Sequence, residues 1–198
     1  MTRENDVATV ATTYAHLHAD VTAALAAWVA PEATQEALRR EFLDFLAAHP
    51  DGVAKAGPPA HITASCLVLD PSGEHVLLTH HRRAEAWFQF GGHLEARDAG
   101  LRAAATREAR EESGVAGLTV SGDLVHLDRH ALLGNFGHCR EHLDIRFAAI
   151  APLSAATAVS TESLDVRWFP AAALPERSGE ELAGLIAAAR AVLPRCGA

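Results

Sequence analysis

From Arg107 to Glu112 the chain reads REAREE. In a helix this places Glu108, Glu111 and Glu112 at i, i+3 and i+4, on one face and about 5–6 Å apart. Bare carboxylates that close repel one another. Either the face lies in open water, laced with ion pairs to Arg107 and Arg110, or a cation gathers it. Oxygen-only ligands of this kind suit Mg²⁺ or Mn²⁺. The segment upstream ends in Gly91 and Gly92, where bare backbone can approach a phosphate or lend a carbonyl to a metal. The spacing predicts a helix over residues 99–113, with Leu101, Ala105 and Ala109 on its apolar side and Gly114 as its C-terminal stop.

The flanking chain predicts strands. HITASCLVLD and EHVLLTHH, joined by PSG, read as a hairpin, and AWFQFGG as a short strand. LTVSGDLVHLDRH, HLDIRFAAIAPL and LDVRWFP are further strands, and GEELAGLIAAARAVL is a closing helix. Strands on both sides of a central helix imply an α/β fold, a mixed β-sheet sandwiched by helices. The front differs. Residues 7 to about 49 read as helical: Leu17, Val21, Leu25 and Trp28 form one stripe, and Leu38, Phe42, Phe45 and Leu46 a second beyond Pro31. The Gly- and Pro-rich HPDGVAKAGPPA reads as a linker. The expected division is a helical N-terminal extension and linker over 1–58 and the main domain over 59–198. The extension is suited to packing on that domain or on a second subunit, as in a homodimer.

A net charge of −8 and a pI near 5.8 argue against a general nucleic-acid or membrane-surface binder. No run of about 18 apolar residues suggests a transmembrane helix, and the N-terminus lacks the pattern of a secretory signal. Cys66, Cys139 and Cys196 are odd in number and widely spaced. They resemble neither a disulfide framework nor a CxxC metal site, so a reducing cytoplasm is the expected compartment.

Residues 91–115 resemble the box of the Nudix hydrolase family, G-x5-E-x7-R-E-U-x-E-E-x-G-U with U apolar. Gly92, Arg107, Glu108, Ala109, Glu111, Glu112, Gly114 and Val115 match it. The departures are Asp98 in place of the first glutamate, eight residues instead of seven before Arg107, and Phe90 where many relatives carry proline. The extra residue falls at DAGL, where Gly100 can absorb it without changing the helix register. The resemblance implies a Nudix α/β/α sandwich and Mg²⁺- or Mn²⁺-dependent cleavage of a phosphoanhydride in a nucleoside diphosphate derivative. It implies Glu108, Glu111, Glu112 and the Gly91 carbonyl as metal ligands, with Arg107 bracing the glutamates. Glu108 and the loop residue Glu162 are both candidates for the base. A different class is a Nudix-fold module that binds a nucleotide without cleaving it, which the intact glutamates disfavour.

Several of the twelve histidines fall suggestively. His61 opens the first strand, His93 follows the glycine pair, and His142, Asp144 and Arg146 share a strand face. This pattern resembles isopentenyl-diphosphate isomerase, a Nudix-fold relative, and implies a second, His-bound transition metal held by His61, His93, and His142 or Asp144. Gly91 stands where the isomerase has its catalytic cysteine, which argues against isomerase chemistry. His16, His18, His49 and His75 read as surface or satisfied core residues. Arg82 and Arg83 of HHRR are candidates for substrate phosphate.

Overall fold

The computed structural model describes residues 2–132, 137–179 and 181–193, so Cys196 lies outside it. Three helices come first: α1 (Thr2–Thr13), α2 (Ala15–Ala27) and α3 (Ala33–Ala48). Leu17, Val21 and Leu25 are buried, as their spacing predicts. Trp28 instead caps α2 half-buried, its N–H donating to the Ala24 carbonyl at 3.0 Å. On α3, Phe42 and Leu46 are buried while Leu38 and Phe45 are half-buried, and Gln35 occupies a buried position that the apolar pattern did not mark.

The strands and remaining helices follow as β1 (Ala60–Leu69), β2 (His75–His81), β3 (Ala86–Phe88), β4 (Phe90–His93), α4 (Leu101–Ser113), β5 (Thr119–Val120), β6 (His126–Ala131), β7 (Glu141–Ile150), β8 (Ser163–Pro170) and α5 (Leu182–Val192). The sheet runs β3-β2-β1-β7-β5, with β4 paired to β1, β6 to β7 and β8 to β2. The predicted hairpin is present, with Val68 opposite Leu77 and Leu69 opposite Val76. The chain thus adopts the expected α/β class with helices at its N-terminus. AWFQFGG, read as one strand, divides at Gln89 into β3 and β4.

Two compact units emerge from the contacts. The first comprises residues 1–64, 93–104 and 127–145. In it α3 meets β6 through Gln35, whose side-chain amide imitates a strand. Gln35 Nε2 donates to the Leu127 carbonyl at 3.0 Å, and the Leu127 N–H donates to Gln35 Oε1 at 2.7 Å. Arg129 adds ion pairs to Glu41 and Glu141. The segment read as a linker is a series of turns in which Val53 and Ala54 are wholly buried, and the Gly52 carbonyl accepts the Ile62 N–H at 2.8 Å. The second unit comprises residues 65–92, 105–126 and 146–198. There Leu182, Leu185, Ile186 and Ala189 of α5 pack against Leu67, Leu69, Val76 and Leu78 of β1 and β2, each large side chain contributing about 1.5–3 kcal/mol of burial.

The start of α4 explains how the chain accommodates its extra residue. The Asp98 carboxylate accepts the Glu95 N–H at 2.8 Å, and the Glu95 carbonyl accepts the Asp98 N–H at 2.8 Å, closing a tight turn. Asp20 of α2 then caps α4, accepting the Leu101 N–H at 2.6 Å. Gly100 is required by that approach, because a Cβ there would lie 2.7 Å from Asp20 Oδ2.

Candidate functional site

The glutamate face forms within the second unit. Alanines at 105 and 109 bury one side of α4 completely, which fixes the rotation that presents Glu108 and Glu112. Glu112 is only 8 % exposed, and its Oε2 accepts the Gly91 N–H at 3.0 Å. Arg107 Nη1 donates to Glu108 Oε1 at 2.9 Å and to Glu111 Oε2 at 3.2 Å, spanning two of the three carboxylates. Glu111 itself is exposed.

Burial, joined by the charges of Glu108, Glu162 and Glu111, pushes the Glu112 carboxyl up to about 8, although the Gly91 N–H works the other way. Burial also raises Glu108, where Arg107 opposes the shift and Glu111 and Glu162 add to it. These groups remain costly to ionise, with an arginine already engaged. A divalent cation would supply the missing charge, and an all-oxygen donor set fits Mg²⁺ or Mn²⁺. Gly92 is small for the same site: a Cβ there would meet Glu108 Oε1 at 2.8 Å.

Glu162 lies on an exposed loop, close enough for its charge to act on Glu108 and Glu112. Arg82 braces that loop. Its N–H donates to the Glu162 carbonyl at 2.9 Å, and its guanidinium to the carbonyls of Thr161 at 3.2 Å and Ser163 at 3.0 Å. Arg82, a candidate for substrate phosphate, is thus bonded to the Glu162 loop. Arg83 is exposed beside it. Asp98 belongs to its turn and to His16, whose Nε2 lies 3.0 Å from the Asp98 carbonyl.

A second cluster forms within the first unit. His61, His93 and His142 come together, and Cys139 joins them, their candidate ligand atoms all within 4.8 Å of one another. Cys139 Sγ lies 3.7 Å from His93 Nε2. Asp144, read as an alternative to His142, instead accepts the Thr63 hydroxyl at 2.9 Å. Burial lowers all three histidines, His93 to about 3 and His142 to about 4, so their imidazoles are neutral. The number and wide spacing of the cysteines do not mark Cys139 as a ligand. The available signal was its position three residues before His142. Cys66 is wholly buried and its thiol is pushed up to about 12, so it is inert. His18 and His49 meet the carbonyls of Leu46 and Phe45, and His75 lies beside Asp70.

The NUDIX domain family matches residues 59–189. No curated protein matches the chain. Among solved structures, a NUDIX-family hydrolase from Clostridium perfringens is 24% identical, with a TM-score of 0.50, covering 67% of this chain and 95% of that one. A C. elegans Ap4A hydrolase is 18% identical with a TM-score of 0.54, covering 66% and 95%. The NUDIX domain of Shewanella oneidensis NrtR, complexed with ADP ribose, is 17% identical with a TM-score of 0.52, covering 66% and 86%. At these identities the likeness is one of fold. Among the described residues no helix is long and apolar enough to cross a membrane.

Proposed function

We propose, for a chain that belongs to the NUDIX domain family, that it hydrolyses a phosphoanhydride bond in a nucleoside diphosphate derivative with Mg²⁺ or Mn²⁺. The observation that carries this reading is a buried Glu112 with a half-buried Glu108 one turn away, each raised by burial and by neighbouring carboxylates. Glu108, Glu111 and Glu112 would hold the ion, with the Gly91 carbonyl implied by the family resemblance. When bound, the ion neutralises the negative charge of the phosphoanhydride oxygens. The chain supplies the rest. Arg107 keeps Glu108 and Glu111 in register, the Gly91 N–H fixes Glu112, and Glu108 or Glu162 accepts the proton of the attacking water. Arg82 positions Glu162, and Arg82 and Arg83 are the candidates for substrate phosphate.

The test is release of nucleoside monophosphate from a panel of nucleoside diphosphate derivatives, including ADP-ribose and Ap4A, with Mg²⁺, Mn²⁺ or chelator. Divalent-dependent product is expected. Tight binding of a panel member without turnover under any metal would identify a binding module instead.

Two substitutions separate site from scaffold. Gly92→Ala pushes the Glu108 carboxylate aside, the three atoms nearest the added Cβ all belonging to that side chain. Activity should fall about tenfold to a hundredfold, the scale of a 1 Å misplacement, with the melting temperature nearly unchanged. A melting temperature that drops along with activity would make Gly92 a folding residue. Asp98→Ala leaves the Glu95 N–H without its acceptor. It should cost about 1–3 kcal/mol of stability but less than about tenfold in kcat/KM, or 1.4 kcal/mol. A much larger kinetic loss would place Asp98 in the hydrolytic centre.

A further inference from the structure

We infer that His61, His93, Cys139 and His142 form a second metal site, a closed four-ligand site for zinc, separate in its residues and chemistry from the glutamate face. Geometry comes first. A tetrahedral zinc bound by three imidazoles and one thiolate sets its ligand atoms about 3.3–3.6 Å apart. Cys139 Sγ and His93 Nε2 already stand at 3.7 Å, and no pair in the cluster exceeds 4.8 Å. The ring centroids are 5.0 Å apart for His61–His93, 5.3 Å for His61–His142 and 5.3 Å for His93–His142. The rings are tilted or edge-on rather than stacked.

Hydrogen bonding then sets the polarity of the cluster. The Pro58 carbonyl can only accept, so His61 Nδ1, 3.0 Å away, must carry the ring proton. That leaves His61 Nε2 as a bare lone pair, on a residue 0% exposed and with no hydrogen-bond partner for that atom. His142 Nε2 is likewise buried without a partner. Buried imidazole nitrogens are normally bonded, and a lone pair turned inward calls for a cation or a donor. An anion would face that lone pair.

The neighbours modulate the site without completing it. The Lys55 charge acts on His61, His93 and His142 and opposes a dication, while the Asp144 charge acts on His142 and favours one. Cys139 tips the balance, because coordination as thiolate releases its proton to solvent and adds a negative charge at the metal. Imidazole with thiolate selects zinc over Mg²⁺, and four protein ligands leave no position for substrate. The role is therefore structural. The ion would tie together the start of β1, the end of β4, the loop before β7 and the start of β7.

The protein without a histidine tag, dialysed against zinc, should bind one zinc per chain in addition to any Mg²⁺. With Co²⁺ in its place, a thiolate charge-transfer band and the visible bands of tetrahedral cobalt should appear. Zinc should also shield Cys139 from alkylation. Cys139→Ser should weaken zinc binding at least tenfold and abolish the thiolate band, whereas Glu112→Gln should change neither. The wild-type cobalt spectrum and alkylation stand even if a variant fails to fold. Absence of stoichiometric zinc, a cobalt spectrum without the thiolate band, or loss of zinc in Glu112→Gln would each overturn the inference.

Discussion

Glu112→Gln should abolish hydrolysis and yet make the metal-free protein more stable at alkaline pH. The ordinary glutamate value is 4.5, and the folded protein holds Glu112 near 8. Between those values the folded state keeps a proton that the unfolded chain gives up. Its contribution to stability is fully present below about 4.5 and is lost as pH rises through 8. For a group this buried the loss is on the order of 3–5 kcal/mol. Glutamine stays neutral and can still accept the Gly91 N–H, so it avoids that loss. Wild type and variant should melt together near pH 4.5 and diverge towards pH 8, the variant higher. Mg²⁺ should then stabilise the wild type alone. Hydrolysis should fall by at least about a hundredfold, or 2.7 kcal/mol of transition-state stabilisation. A variant that melts lower than wild type at pH 8 in chelator would show that the carboxylate holds the fold together, and the metal reading would lose its main support.

The glutamate face was legible because helical spacing is a local property. Once residues 101–113 are helical, Glu108, Glu111 and Glu112 must share a side, and Gly114 must end it. What the sequence concealed depends on residues distant along the chain. Nothing near Asp20 announces that it caps a helix starting at Leu101, and Gln35 reads as an ordinary helix-surface residue until Leu127 lies across from it. The same holds for Arg82, whose neighbours in HHRR suggest phosphate binding, while its guanidinium is engaged by carbonyls 79 and 81 residues away. The number and spacing of the cysteines, tests suited to disulfides and CxxC sites, do not single out Cys139. A mixed His/Cys cluster needs only one thiol, and it needs strands from different parts of the chain to bring the histidines to it. The Gly- and Pro-rich stretch before β1 conceals something else. Turn residues mark where the chain bends, and Val53 and Ala54 show that a bending segment can also be buried.

Gly114→Ala should be the most damaging of the conservative substitutions, costing about 2–4 kcal/mol. Gly114 ends α4 with φ +74, a conformation in which a side chain is strained. Space is also lacking, since a Cβ would meet the Ala158 nitrogen at 2.5 Å and its Cβ at 2.6 Å. The nitrogen is backbone and cannot rotate away. It is itself fixed, because the Ala158 N–H donates to the Ser113 carbonyl at 2.8 Å while the Gly114 N–H donates to the Arg110 carbonyl at 2.9 Å. Relieving the clash therefore breaks the bond that terminates the helix, and the last turn carries both Glu111 and Glu112. Denaturant unfolding in chelator at fixed pH gives the number. Gly122→Ala is the control, a loop glycine with nothing within 4 Å of its added Cβ, and should stay within about 1 kcal/mol of wild type. If the two variants prove equally stable, the 155–160 segment yields freely. The glutamate face would then depend on α4 alone, held by the burial of Ala105 and Ala109 rather than by its C-terminal stop.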